Sequence, residues 1–135
     1  VCLMVPTEIL AKQHYNLVKK LFNKNINVEI LTSKTEYKKR KEILKNLNNN
    51  NINFIIGTHS LFQEKIKYHN LGLIIIDEQH KFGVKQRKKL SDKGGKNCDI
   101  LVMSATPIPR TMIMTVFGDM DTSIIKNKPK IRKLN

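Results

Sequence analysis

The chain has 135 residues, 40% hydrophobic and 27% charged, enough to bury the core of about one domain and too apolar for a disordered tail. No apolar run nears the roughly 18 residues that cross a bilayer, and no secretory signal opens the sequence, so neither a membrane partner nor export is expected. The net charge of +14 invites a polyanionic partner, but a Lys- and Asn-rich composition set by codon usage gives the same surface, and charge alone leaves both readings open.

Five apolar runs alternate with helix-patterned stretches: Val1–Val5, Val28–Leu31, Asn53–Ile56, Leu71–Ile76 and Asp99–Met103. They are continuous rather than alternating, as in strands buried on both faces of a parallel sheet. The order strand, helix, strand predicts βαβ units and an α/β fold with three layers, α/β/α. After the first strand, Pro6 ends the extended segment and Thr7 is placed to cap a helix. Leu10, His14, Leu17, Val18 and Leu21 recur at intervals of three and four and define its expected inner face, with His14 as a packing residue. A second helix is expected over Thr35–Leu47, basic outside, with Tyr37, Ile43, Leu44 and Leu47 inward. The run Asn48-Asn49-Asn50-Asn51 is a loop. Shorter helices follow after Thr58, around Val84–Leu90 and over Pro109–Phe117, and Gly94-Gly95 turns the chain into the fifth strand. Cys2 and Cys98 lie in or beside strands, without the spacing of a zinc site or disulfide, and His14, His59, His69 and His80 are scattered.

The polar residues of interest all fall where predicted strands end, which is where open parallel sheets bind ligands. Asp77 and Glu78 close an apolar strand. A carboxylate there suits Mg²⁺, which prefers oxygen ligands and keeps much of its water. The adjoining carboxylate can take a proton from a water attacking a phosphate. Gln79 and His80 follow, placed to reach Ser104 and Thr106 at the end of the next strand, although Ser104-Ala105-Thr106 also fits a plain hydroxyl-stabilised turn. Pro6-Thr7 and Gly57-Thr58-His59 are strand-to-helix turns whose N–H groups suit phosphates, with Gly57 expected to let a phosphate approach the backbone. Such contacts would position a nucleic acid without reading its sequence. Ordinary capping is the competing account of both turns.

Four segments carry a family resemblance: Val5-Pro6-Thr7-Glu8-Ile9-Leu10-Ala11-Lys12-Gln13-His14, Gly57-Thr58-His59-Ser60-Leu61-Phe62-Gln63, Asp77-Glu78-Gln79-His80-Lys81-Phe82-Gly83-Val84 and Ser104-Ala105-Thr106-Pro107-Ile108-Pro109-Arg110-Thr111. They resemble motifs Ia, Ib, II and III of the RecG branched-DNA helicases. Gly118-Asp119-Met120-Asp121 followed by Ser123-Ile124-Ile125 also fits that family. The resemblance implies a RecA-like motor domain, monomeric, bacterial and cytoplasmic, that uses ATP and Mg²⁺ to remodel forks and Holliday junctions in recombination and repair. By the same resemblance Asp77 serves Mg²⁺ and Glu78 activates water. Gln79, His80, Ser104 and Thr106 couple hydrolysis to movement. Pro6, Thr7, Gly57, Thr58, His59 and Arg110 contact DNA.

The translocase module of the transcription-repair coupling factor is a rival, but that family usually has Glu where this chain has Gln79. A DEAD-box-type RNA helicase would carry Ala-Asp where this chain has Gln79-His80. A non-catalytic binding module on the same scaffold is disfavoured by the intact Asp77-Glu78 pair. The chain opens directly in an apolar run, has no GxxxxGK[ST] loop and ends in Lys126-Asn127-Lys128-Pro129-Lys130, so both ends are expected to be cuts. Residues 1–125 are then a partial motor domain and 126–135 the start of an interdomain linker. Lys128-Pro129-Lys130-Ile131-Arg132 stands where the family has a Pro-Pro-Gly-Arg-like linker. The absent phosphate-loop strand of this fold family pairs inside the sheet, beside the strand ending at Ser104. The isolated 135-residue piece is therefore expected to be poorly stable and unable to turn over ATP; a cooperative melt together with measurable turnover would refute this.

Overall fold

The computed structural model describes residues 1–22, 25–63, 66–77, 92–94, 97–106 and 120–126. Its elements are β1 (Cys2–Met4), α1 (Glu8–Phe22), β2 (Val28–Leu31), α2 (Tyr37–Asn48), β3 (Phe54–Gly57), a 3₁₀ turn (His59–Phe62), β4 (Leu73–Asp77) and β5 (Asp99–Met103). The strands form one sheet in the order β2-β3-β1-β4-β5, and every pairing is parallel. β1 is thus central, with β3 and β4 as its neighbours. The sequence patterning predicted this architecture, and β2 and β5 have the expected limits. The expected helices over Val84–Leu90 and Pro109–Phe117 lie outside the described residues, as does Gly95.

Side-chain alternation divides the core into two layers. Cys2 and Met4 of β1, Ile55 of β3 and Ile74 and Ile76 of β4 point to one face, where Ile43 and Leu47 of α2 and Leu61 of the 3₁₀ turn cover them. Leu3, Val5 and Ile56 point to the other, under Ala11 and Val18 of α1. On β5, Ile100 and Val102 pack toward the α2 layer, whereas Leu101 and Met103 on the opposite face are exposed. Cys2 is fully buried and unbridged. Burial, above all, pushes its thiol up to about 12, against which a contact with the Tyr68 hydroxyl at 3.8 Å acts weakly.

The helices seat differently from their sequence pattern. In α1 the stripe Ala11, His14, Tyr15 and Val18 faces the sheet, and Leu17 and Leu21 are exposed. The small Ala11 lets the helix axis approach the sheet, and that rotates the two leucines outward. Tyr37, expected inward, is 82% exposed because it occupies the first turn of α2, outside the 43/47 stripe. The asparagine tract ends α2 by a defined mechanism. Asn50 is left-handed, with φ 58°, its N–H donates to the Leu47 carbonyl, and the Asn51 N–H donates to the Asn46 carbonyl. This is the double hydrogen bond of a Schellman ending, in which Asn substitutes for the usual glycine.

Gly57 is fixed by packing. A Cβ there would lie 2.2 Å from the Leu31 carbonyl oxygen and 2.9 Å from Leu61 Cγ. The first is backbone of the neighbouring strand and cannot step aside. Gly57→Ala is therefore expected to destabilise the protein by about 1–3 kcal/mol, the usual cost of forcing extra volume into a packed core. Denaturant unfolding measures it, and an unchanged midpoint would contradict the packing account.

Candidate nucleotide and nucleic-acid site

The register sets the site. Asp77 pairs with Met103 across β4 and β5, so Ser104 begins immediately beside the Asp77 strand end. β1 ends next to it, leading into Pro6 and Thr7, and β3 ends at Gly57 on the far side of β1. The carboxyl edge of the sheet thus gathers Pro6-Thr7, Gly57-Thr58-His59, Asp77 and Ser104-Ala105-Thr106. Glu78, Gln79, His80 and Arg110 lie outside the described residues.

Asp77 follows the odd positions of β4 and so lies on the α1 face. Its Oδ2 is 3.5 Å from His14 Nε2, and the two side chains are 21% and 28% exposed. Sequence patterning placed His14 correctly on the inner face of α1 but gave it only a packing role. The signal that would have found the contact is the parity of β4 combined with α1 on that face.

Thr7 caps α1, its Oγ1 accepting the Leu10 N–H at 3.3 Å, while its carbonyl accepts the Ala11 N–H at 3.0 Å. The residue itself is exposed. Glu8, in the first turn, ties this corner to the loop after β2. Ser33 Oγ donates to Glu8 Oε1 at 2.8 Å, and Lys34 Nζ lies 3.1 Å from Oε2. The loop is closed by the Thr32 N–H donating to Thr35 Oγ1 at 2.9 Å. No sequence motif singled out Glu8, Ser33 or Lys34; an acid in the first turn of a helix was the available hint.

The turn after β3 differs from expectation. It is one 3₁₀ turn of four residues, too short to accumulate a helix dipole. Thr58 and Ser60 are buried, and His59 presents its side chain to solvent. The side of Gly57 that would carry a Cβ is filled by Leu31 and Leu61. The glycine therefore serves strand packing there, and the expected phosphate approach across that side is blocked.

Ser104 and Thr106 are bonded to each other. Their hydroxyls are 3.0 Å apart, and the Thr106 N–H donates to Ser104 Oγ at 3.2 Å. This is the hydroxyl-stabilised turn that the sequence Ser104-Ala105-Thr106 also fits. It holds both hydroxyls at the strand end beside Asp77 without linking them to it.

The fold is that of a helicase domain. The family model for the DEAD/DEAH box helicases matches residues 1–115, and the chain belongs to that family. Within it the resemblance to RecG is borne out. The chain is 53% identical to the ATP-dependent DNA helicase RecG of Staphylococcus aureus (strain NCTC 8325) over 131 residues, 97% of this chain and 19% of the relative. It is 52% identical to that of Bacillus subtilis (strain 168) over 132 residues, with the same shares. A RecG structure bound to a three-way DNA junction superposes with a TM-score of 0.67 at 46% identity, covering 87% of this chain and 15% of that one. The chain therefore spans about a fifth of the length of these relatives. Among the described residues no helix is long and apolar enough to cross a membrane.

The Ser33 and Lys34 contacts hold the Glu8 carboxyl below its ordinary range, the Ser33 hydrogen bond contributing most. A group whose pKa is lower folded than unfolded stabilises the fold above its unfolded pKa, and that stabilisation is lost as pH falls through the folded value. The stability difference between wild type and Glu8→Gln is therefore expected to be present at neutral pH and to shrink under acid, below the ordinary glutamate range. Unfolding midpoints taken from pH 7 downward check it; a difference that grows under acid would contradict the clamp.

Proposed function

We propose that residues 1–125 are most of the first RecA-like motor domain, and 126–135 the start of an interdomain linker, of an ATP-dependent DNA helicase. Its substrates are branched DNA, forks and Holliday junctions, and its work is recombination and repair. It acts as a monomer in the bacterial cytoplasm. The observation that carries this reading is the convergence of a strand-end carboxylate, a hydroxyl-bearing strand end and two polar turns on one carboxyl edge of a parallel sheet.

Asp77 fits Mg²⁺. It is a partly exposed carboxylate at a strand tip, and this metal takes one or two carboxylates, phosphates and its own waters. No cluster of three or more metal-ligating side chains, such as a transition metal would select, occurs among the described residues. Asp77 would hold the ion directly or through water, and the bound ion would neutralise charge on the ATP phosphates. Glu78 takes the proton of the attacking water. Gln79, His80, Ser104 and Thr106 relay the state of the nucleotide toward the DNA. Pro6, Thr7, Gly57, Thr58, His59 and Arg110 line the path of the DNA backbone. At the turn after β3, side-chain contact falls to the exposed His59, and Gly57 and Thr58, both buried, contribute through backbone groups.

ATPase rates of the full-length protein, with no DNA, linear duplex, a three-way fork and RNA, test this. The fork is expected to stimulate strongly, and Glu78→Gln to lower the stimulated rate by at least ~100-fold, the scale of a lost general base. Equal stimulation by linear duplex would favour a duplex translocase of the coupling-factor kind, and no turnover on any substrate would leave a binding module.

A further inference from the structure

An ionisable side chain on the sheet-facing side of α1, His14, meets the carboxylate at the strand end. α1 faces the sheet with Ala11, His14, Tyr15 and Val18, and its cluster with β1, β2 and β3 is otherwise apolar. Into that stripe His14 brings an imidazole whose Nε2 lies 3.5 Å from Asp77 Oδ2, with about three-quarters of both side chains shielded from water. Strand parity leaves Asp77 no choice of face. Leu73, Ile75 and Asp77 alternate with the buried Ile74 and Ile76, so the carboxylate emerges on the α1 side. The helix in turn is pinned at its start by the Thr7 cap and by Glu8. The imidazole is thus carried by a helix fixed at the end nearest the contact.

We infer that His14 is a positioning residue for Asp77. An N–H on Nε2, directed at Oδ2, fixes the carboxylate rotamer and leaves the second oxygen to face the ligand. The inference rests on the reading of Asp77 as the Mg²⁺ carboxylate. Carboxylates that ligate metals are themselves held by hydrogen bonds, and losing such a partner typically weakens metal binding by about 10–100-fold. At 3.5 Å the contact is longer than an ordinary hydrogen bond. Polar contacts at catalytic sites commonly tighten only when the ligand is bound. The contact, made from the second turn of α1, also links that carboxylate to the helix that follows Pro6 and Thr7.

The test uses the full-length protein and Mn²⁺ as a paramagnetic stand-in for Mg²⁺. Free Mn²⁺ is followed by electron paramagnetic resonance at a fixed concentration of a non-hydrolysable ATP analogue. Four variants separate the possibilities: Asp77→Asn, His14→Ala, His14→Phe and His14→Gln. Phe keeps the ring volume without the N–H; Gln keeps an N–H donor near the Nε2 position. The expected result is Mn²⁺ affinity lowered by about 10-fold in His14→Ala and His14→Phe and close to wild type in His14→Gln. Wild-type affinity in His14→Phe would make His14 a packing residue and overturn the inference. Equal loss in all three His14 variants would overturn it too, because an N–H at that point would then not be what matters. Unchanged affinity in Asp77→Asn would instead overturn the assignment of Asp77 to the metal, and the role of His14 with it. If Asp77→Asn weakens binding and no His14 variant does, the positioning role alone falls.

Discussion

The two-residue period of the central strands governs the rest of the molecule. β1 is hydrogen-bonded on both sides, to β3 and to β4, so its pleat sets the parity of the whole sheet. Cys2 and Met4 go to the α2 layer, Leu3 and Val5 to the α1 layer. A slip of one residue would turn each set to the opposite face and bring the exposed positions of β5 inward. Because β4 is locked to β1, the same parity decides that Ile74 and Ile76 are buried with α2 and that Asp77 stands on the side of α1. The chemistry of the strand tip is thus a consequence of core packing three residues earlier.

How far the sequence reveals this depends on which force places each residue. The strands leave continuous apolar runs, and all five are legible, with Val28–Leu31 and Asp99–Met103 matching at both ends, although β5 is exposed on one face. Helix rotation is less legible. In α1, apolar residues occur nearly all round, at Ile9, Leu10, Leu17, Val18 and Leu21, so periodicity admits more than one inner face. The tightest approach to the sheet selects among them, and that depends on Ala11, a residue hydrophobicity barely weighs. Tyr37 misleads for a related reason. At the first turn of a helix, the inner stripe has not yet met the layer it packs on.

The strand-end turns show a second limit. A small or hydroxyl residue at a strand-to-helix junction satisfies two demands, closing the backbone and receiving an anion, and sequence does not distinguish them. Gly57 is required by the Leu31 carbonyl oxygen and Leu61, Thr7 by the Leu10 N–H, and Ser104 by the Thr106 N–H. Strand order is the added information. It puts these turns on one edge, which their separate local geometries do not imply.

Capping and ligand contact are compatible at such an edge, because a capping hydroxyl uses one lone pair and keeps another and its proton. Thr7 accepts from Leu10 and remains exposed, so its hydroxyl can still donate to a phosphate oxygen. The same holds for the pair Ser104 and Thr106. One hydroxyl donates to the other, and the accepting one keeps its own proton for a further partner.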